Sequence, residues 1–358
     1  MLTGRHAFAA RSFADVASVW RHGFALPSVF ESEIPAALDS LVADLLQLEP
    51  DARPANASEV IERLGAIDGQ AHVEHLQVAQ AYLAMPPMIG RSAQLSQLQR
   101  ALRSSAATRG SVVLVEGEAG VGRSRLLDAG LLDAALRGSV CVRADAEDAV
   151  SGDYGVLRAL VLQLQRLLPE LSQASSPGIE LAWLSGPQLQ DTRELRPKLQ
   201  AAVQVWLAAL SHKRALVLAV DDAERADEPS IAALALIASQ LPAGVSVVLS
   251  AETAAGWTAA AAQPLLLEHA QRVSLQPLTA EESEQLLAAL FNGAPNVGLL
   301  AHRLHEIAAG KPRDLTHLAE HLIDRGSVRY DAGAWTLPAR LDQIELPSSM
   351  EQALRAKV

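Results

Sequence analysis

The chain has 358 residues, enough for two or three domains, and its 49% apolar and 20% charged content excludes a disordered polymer. Its net charge of −11 argues against holding nucleic acid by general electrostatics, and its single cysteine, Cys141, excludes an internal disulfide and a cysteine zinc cage. No apolar run reaches the ~18 residues of a membrane span and no signal-peptide core opens the chain, so a cytoplasmic protein without membrane contact is expected.

Residues 1–65 read as short helices joined by proline turns. Ile34-Pro35 opens the strongest of them, with Leu38, Leu41, Val42, Leu45 and Leu46 at helical spacing. Pro50 and Pro54 break it, and Ser58 to Ile61 begin another. Residues 66–87 form a linker that ends in Pro86-Pro87. Residues 88–275 then alternate helical segments with the runs Val112–Val115, Val140–Val142, Leu216–Val220, Val245–Leu249 and Arg272–Leu275. Such runs, apolar on successive residues, are strands of a parallel sheet covered by helices on both faces. Residues 276–326 read as a helical domain. Residues 327–358 carry a hairpin around Asp331-Ala332-Gly333 and a helix beginning near Ser349, taken as the start of a further, truncated domain.

Val112–Val115 runs directly into Gly117-Glu118-Ala119-Gly120-Val121-Gly122-Arg123-Ser124-Arg125 and then an apolar helix. A strand, a glycine loop and a helix in this order form a P-loop. The glycines let backbone N–H groups of Gly117, Ala119, Gly120, Val121 and Gly122 turn toward a phosphate, and the helix dipole adds to the attraction. Ser124 supplies the hydroxyl that would ligate Mg²⁺. Arg123 stands where a P-loop has Lys, so charge is kept while the compact ammonium is replaced by a planar fork. Four of the basic residues are Lys (Lys198, Lys213, Lys311, Lys357), which leaves 26 Arg among 30, so general drift toward Arg is one explanation of the change.

The strand Leu216–Val220 ends in Asp221-Asp222. Two carboxylates at a strand end suit a P-loop enzyme, with Asp221 on the metal side and Asp222 orienting the attacking water.

Met88-Ile89-Gly90-Arg91, the glycine loop, Asp221-Asp222 with Asp227 beyond, Val247–Ser250 and Gly310-Lys311-Pro312 follow one another in an order that resembles the STAND-type, AAA-related signalling ATPases. The resemblance implies an α/β P-loop NTPase with ATP and Mg²⁺ as cofactors and a helical lid, followed by the start of a winged-helix-like segment. It implies that Ile89, Gly90 and Arg91 lie at the adenine, that Pro312 packs near the base, and that Ser250 is the polar sensor ending the strand after the acidic pair. The Arg often found after that sensor is missing, since Ala251-Glu252-Thr253 follows Ser250.

Leu2-Thr3-Gly4 with Phe8, Ile34-Pro35, Leu41–Leu46 and Glu49-Pro50-Asp51-Ala52-Arg53-Pro54 resemble the end of a Ser/Thr protein kinase C-lobe. That implies a helical remnant over the first 65 residues of a longer kinase–ATPase protein, whose missing domains would supply protein partners or self-association. The chain carries no kinase glycine loop, His-Arg-Asp or Asp-Phe-Gly, so no kinase activity of its own is expected. Arg53 then lacks its family partner and needs another acceptor or exposure.

His302, His305, His317 and His321 have helical spacings that could gather imidazoles for a metal, although polar positions on amphipathic helices explain them more simply. Three readings of function follow. The first is an ATP-dependent signalling switch with weak or absent hydrolysis. The second is an inactive P-loop scaffold. The third is the ATPase part of a DNA-binding regulator, against which the net acidity counts.

Overall fold

The five apolar runs become five strands of one parallel sheet in a computed structural model of the chain. The structure describes residues 2–4, 7–8, 23–47, 49, 52–54, 57–68, 87–105, 110–169, 196–268, 270–331 and 334–338. The linker at 69–86 and the helix expected near Ser349 lie outside the described residues. The strands are β1 Ser111–Gly117, β2 Val140–Ala144, β3 Leu216–Val220, β4 Val245–Glu252 and β5 Ala270–Leu275, in the order β2-β3-β4-β1-β5. Neighbours run parallel, with Val113 opposite both Val248 and Gln271, and Leu218 opposite both Val142 and Val247.

The described helices are α1 Ala36–Leu45, α2 Ala57–Asp68, α3 Ser92–Ser105, α4 Arg123–Leu136, α5 Gly155–Leu167 and α6 Arg196–Ser211. They continue with α7 Glu228–Ser239, α8 Gln263–Leu267, α9 Ala280–Leu290, α10 Val297–Ala308 and α11 Pro312–Asp324. Because side chains alternate along a strand, β1 feeds two cores. Val112 and Leu114 join Leu160 and Leu164 of α5, Trp206 of α6 and Ile231 and Leu234 of α7. Val113 and Val115 join Leu98 of α3 and Leu126 and Leu127 of α4 on the opposite face. This double cover is why the strands lack in/out alternation in sequence.

Helices α9, α10 and α11 bury Leu287, Leu304 and Leu315 in a third core. The hairpin β6 (Arg329–Asp331) and β7 (Ala334–Thr336) packs into the same core through Tyr330 and Trp335. Trp335 sits edge-on to Phe291 at 5.2 Å and to Tyr330 at 5.1 Å, a geometry favoured by aromatic quadrupoles. In the first zone, α1 and α2 are joined by the Arg63–Asp44 ion pair at 2.6 Å, and Arg53 finds an acceptor in the Gln47 carbonyl at 2.9 Å. Among the described residues no helix is long and apolar enough to cross a membrane.

Candidate nucleotide site

The carboxyl ends of β1 and β3 open onto one cleft of about 520 Å³, closed on its far side by α11. Crevices at this edge of an open α/β sheet are where such folds bind ligands. Ile89, Arg91, Ala119, Gly120, Val121, Gly122, Arg123, Ser124, Arg125, Asp222 and Pro312 all line it, so one space gathers residues spread over more than two hundred positions. Gly90, Gly117, Asp221 and Ser250 do not line it.

The loop geometry follows from its glycines. Gly122 is the N-cap of α4 at φ 98°, a left-handed conformation that side chains rarely adopt, and no side chain caps the helix there. An uncapped helix N-terminus at the floor of a cleft is a site for an anion. The apolar lining comes from Met88, Ile89, Leu278, Leu286 and Pro312, which suits a flat base. A nucleotide therefore fits the residues present.

The lid contacts the loop directly. The Arg313 backbone N–H donates to the Gly120 carbonyl at 3.2 Å, and Lys311 pairs with Glu118 at 2.9 Å. Gly310, at φ 69°, lets the backbone come so close that a Cβ there would sit 2.3 Å from the Leu278 carbonyl oxygen. The Gly310 carbonyl in turn accepts the Leu278 N–H at 2.7 Å. Pro312 is the first residue of α11, where its missing N–H costs nothing. Arg313 was not singled out from sequence. It follows Gly310-Lys311-Pro312 directly, and its side chain lies against Gly120 in the cleft, which makes it a second cation facing the loop.

Arg91 is only 5% exposed, and its guanidinium donates to the carbonyls of Val121 at 3.2 Å and Gln276 at 2.7 Å. It ties the loop to the exit of β5 through the backbone. Burial lowers its pKa, with Glu282 opposing. Gly90 leaves room for that same Glu282, which closes a capping box with Thr279 at the start of α9.

Both acids at the end of β3 are held by arginines. Arg123 Nη2 donates to Asp222 Oδ1 at 2.9 Å, and its Nη1 stands 3.9 Å from Glu224 Oε1. Arg123 thus turns sideways to the acids. Asp222 adopts a left-handed φ of 47°, and its N–H donates to Ser250 Oγ at 3.0 Å. The turn this makes buries Glu224 to 2% exposure, a residue sequence reasoning passed over. Burial raises the Glu224 pKa, partly opposed by its backbone N–H and Arg123, and one of its oxygens has no hydrogen-bond partner.

Asp221 is 4% exposed. Its Oδ2 accepts from Arg143 at 2.5 Å and its Oδ1 from Ser250, and Ser124 is a third donor. Burial alone would raise its pKa, but the bonds from Ser250, Ser124 and Arg143 outweigh it and hold the carboxyl below its usual value. Ser250 is fully buried, donates to the Asp221 carboxylate and accepts the Asp222 backbone N–H, so its geometry is that of a positioning residue for Asp221 and for the turn that follows it.

The Mg²⁺ expected between Ser124 and Asp221 does not fit this arrangement. Asp221 is already neutralised by the Arg143 guanidinium at 2.5 Å and takes the Ser250 hydroxyl on its other oxygen. Asp227, read as part of the acidic motif, is a cap. It accepts N–H groups from Ser230, the third residue of α7, and from Tyr154 and Val156 at the start of α5. His305 is engaged by Ser283 at 2.8 Å.

A parallel five-stranded sheet with a glycine loop after β1 and an acidic end to β3 defines a P-loop NTPase. Residues 87–250 match the family of AAA ATPase domains. A search of curated proteins finds no match. Among solved structures the chain is similar to a Walker-type ATPase of Pyrococcus abyssi, at 14% identity and TM-score 0.44, over 75% of this chain and 71% of that one. It is also similar to the Aeropyrum pernix ORC2 protein in ADPNP–ADP complexes, at 14% identity and TM-score 0.44, over 67% of this chain and 63% of that one. The Aeropyrum pernix ORC1 protein in complex with DNA matches at 15% identity and TM-score 0.44, over 76% and 66%. The expectation that this chain holds no nucleic acid gains no support from them and rests on net charge alone.

Proposed function

We propose that the chain is an adenine-nucleotide-binding switch in which the ligand bridges the P-loop and the helical lid, with slow or absent hydrolysis. The observation that carries this reading is the direct bond between loop and lid at Gly120 and Arg313, over a cleft that both line. A ligand there contacts both bodies, so it biases their relative arrangement by its differential contacts. Hydrolysis is slow because Asp222, the residue placed to orient water, is paired to Arg123. The kinase-linked signalling role belongs to the same proposal and is supported only by the resemblance of residues 1–65.

Thermal unfolding of the chain with and without ATP or ADP tests the reading, since a ligand that binds only the folded state raises the midpoint. The expected result is a rise with either nucleotide, and a smaller difference between ATP and ADP in Arg313→Ala. A second reading, an inactive scaffold, is favoured by the arginines on both Asp221 and Asp222. Unchanged midpoints at millimolar nucleotide would put the scaffold in place of the switch.

A further inference from the structure

Arg143 belongs to none of the sequence motifs. It enters the site from β2, paired opposite Ala219, two residues before Asp221 in β3's chain. Its guanidinium lies 2.5 Å from Asp221 Oδ2 and 2.6 Å from Asp128 Oδ1. Gln163 fixes its backbone from α5, with Oε1 accepting the Arg143 N–H at 3.1 Å and Nε2 donating to its carbonyl at 2.6 Å. The Asp221 N–H extends the same ladder by donating to the Ala144 carbonyl at 2.9 Å. The guanidinium is therefore placed by strand register and two carboxylates.

A carboxylate offers about four acceptor positions. On Asp221, Arg143 takes one of the oxygens and Ser250 the other, and the guanidinium supplies the positive charge there. Mg²⁺ demands a near-octahedral oxygen shell and gives up water reluctantly. To bind Ser124 and Asp221 it would have to displace a guanidinium that is also anchored on Asp128, and then tolerate that charge beside it. We propose that Arg143 is the fixed cation of this site, standing where a P-loop metal would act on Asp221. The ligand taken is then a metal-free adenine nucleotide anion, met in the cleft by Arg125 and Arg313, rather than its Mg²⁺ complex. The proposal rests on the nucleotide reading above.

The test is titration of the full chain with a fluorescent ATP analogue, once in EDTA and once in excess Mg²⁺. The wild-type dissociation constants are expected to agree within about threefold, whereas Arg143→Gln binds at least about tenfold more weakly in EDTA than in Mg²⁺, as expected when a metal takes over the vacated place. A purely structural role would weaken binding equally in both buffers. Arg143→Lys, which keeps the charge, should return the ratio toward the wild-type value. A wild-type constant that rises about tenfold in EDTA overturns the assignment and leaves nucleotide binding standing, and does so even if Arg143→Gln fails to fold. An Arg143→Gln ratio equal to that of wild type overturns it as well. Absence of binding in both buffers overturns the nucleotide reading and this one with it.

Discussion

Glu224 and Arg123 show how the charges of the site are set by neighbours. Glu224 is buried, and burial raises its pKa above the ordinary carboxyl value. A raised pKa means that the ionised form is penalised in the fold, so the penalty is full above the folded pKa and disappears below the unfolded one. Glu224→Gln is therefore expected to raise the melting temperature at pH 7 by about 2 °C or more, with the gain vanishing below about pH 4. Asp221 has the opposite sign. Its lowered pKa stabilises the fold above the unfolded value, and that contribution is lost as pH falls through the folded one. Melting curves of Glu224→Gln and Asp221→Asn from pH 3 to pH 8 read the two signs separately. Arg123 bridges Asp222 and the neighbourhood of Glu224 from a position only 10% exposed. A lysine cannot span both acids. Arg123→Lys should release Asp222 and raise single-turnover phosphate release by about tenfold while the nucleotide dissociation constant stays within about threefold. Equal changes in both would mean that Arg123 serves binding alone.

Among the elements, those buried on both sides were the most legible. The runs at Val112, Leu216 and Val245 read as strands because helices cover them on two faces, and all five expected strands are present. The glycine loop was legible for a different reason, since Gly122 must adopt a positive φ that its sequence position announces. What stayed hidden depends on register and turns. Arg143 reaches Asp221 across 78 residues through strand pairing, and nothing local in the sequence marks it. Glu224 is buried because Asp222 turns left-handed, which a strand-then-acid pattern does not reveal. Asp227 looked like part of an acidic motif, yet its carboxylate caps α7 and also takes two N–H groups at the start of α5. Losing a helix cap costs about 1–2 kcal/mol, and stranding further N–H groups adds about 1 kcal/mol or more. Asp227→Ala should therefore cost about 2–3 kcal/mol in urea unfolding, with Asp227→Asn recovering part of it.

At the scale of the whole molecule, two bodies with separate cores meet along one short seam. The core side contributes the Gly120 carbonyl and Glu118, the lid side Arg313 and Lys311, and the Gly310–Leu278 backbone contact lies within the lid directly behind them. These contacts differ greatly in what they can hold. The Lys311–Glu118 pair is half-exposed on the lysine side and exposed on the glutamate side, and such pairs contribute about 0–1 kcal/mol and weaken with salt. Lys311→Ala should leave the seam nearly unchanged. The approach at Gly310 is backbone on backbone, with no flexible side chain to give way. A methyl there meets the Leu278 carbonyl at 2.3 Å and must also adopt a φ of 69°. Gly310→Ala is expected to cost about 1–3 kcal/mol, localised to the lid where it meets the seam, because Leu278 and His305 against it both belong to the lid. Amide hydrogen exchange separates the two outcomes. In wild type, nucleotide should slow exchange together in residues 119–126 and 310–324, because one ligand orders both sides. In Gly310→Ala the loop should still gain protection while 310–324 does not, and exchange in β1, β3 and β4 should stay slow. If the loop and the lid lose nucleotide protection together with the strands, the two bodies unfold as one, and the seam is no hinge.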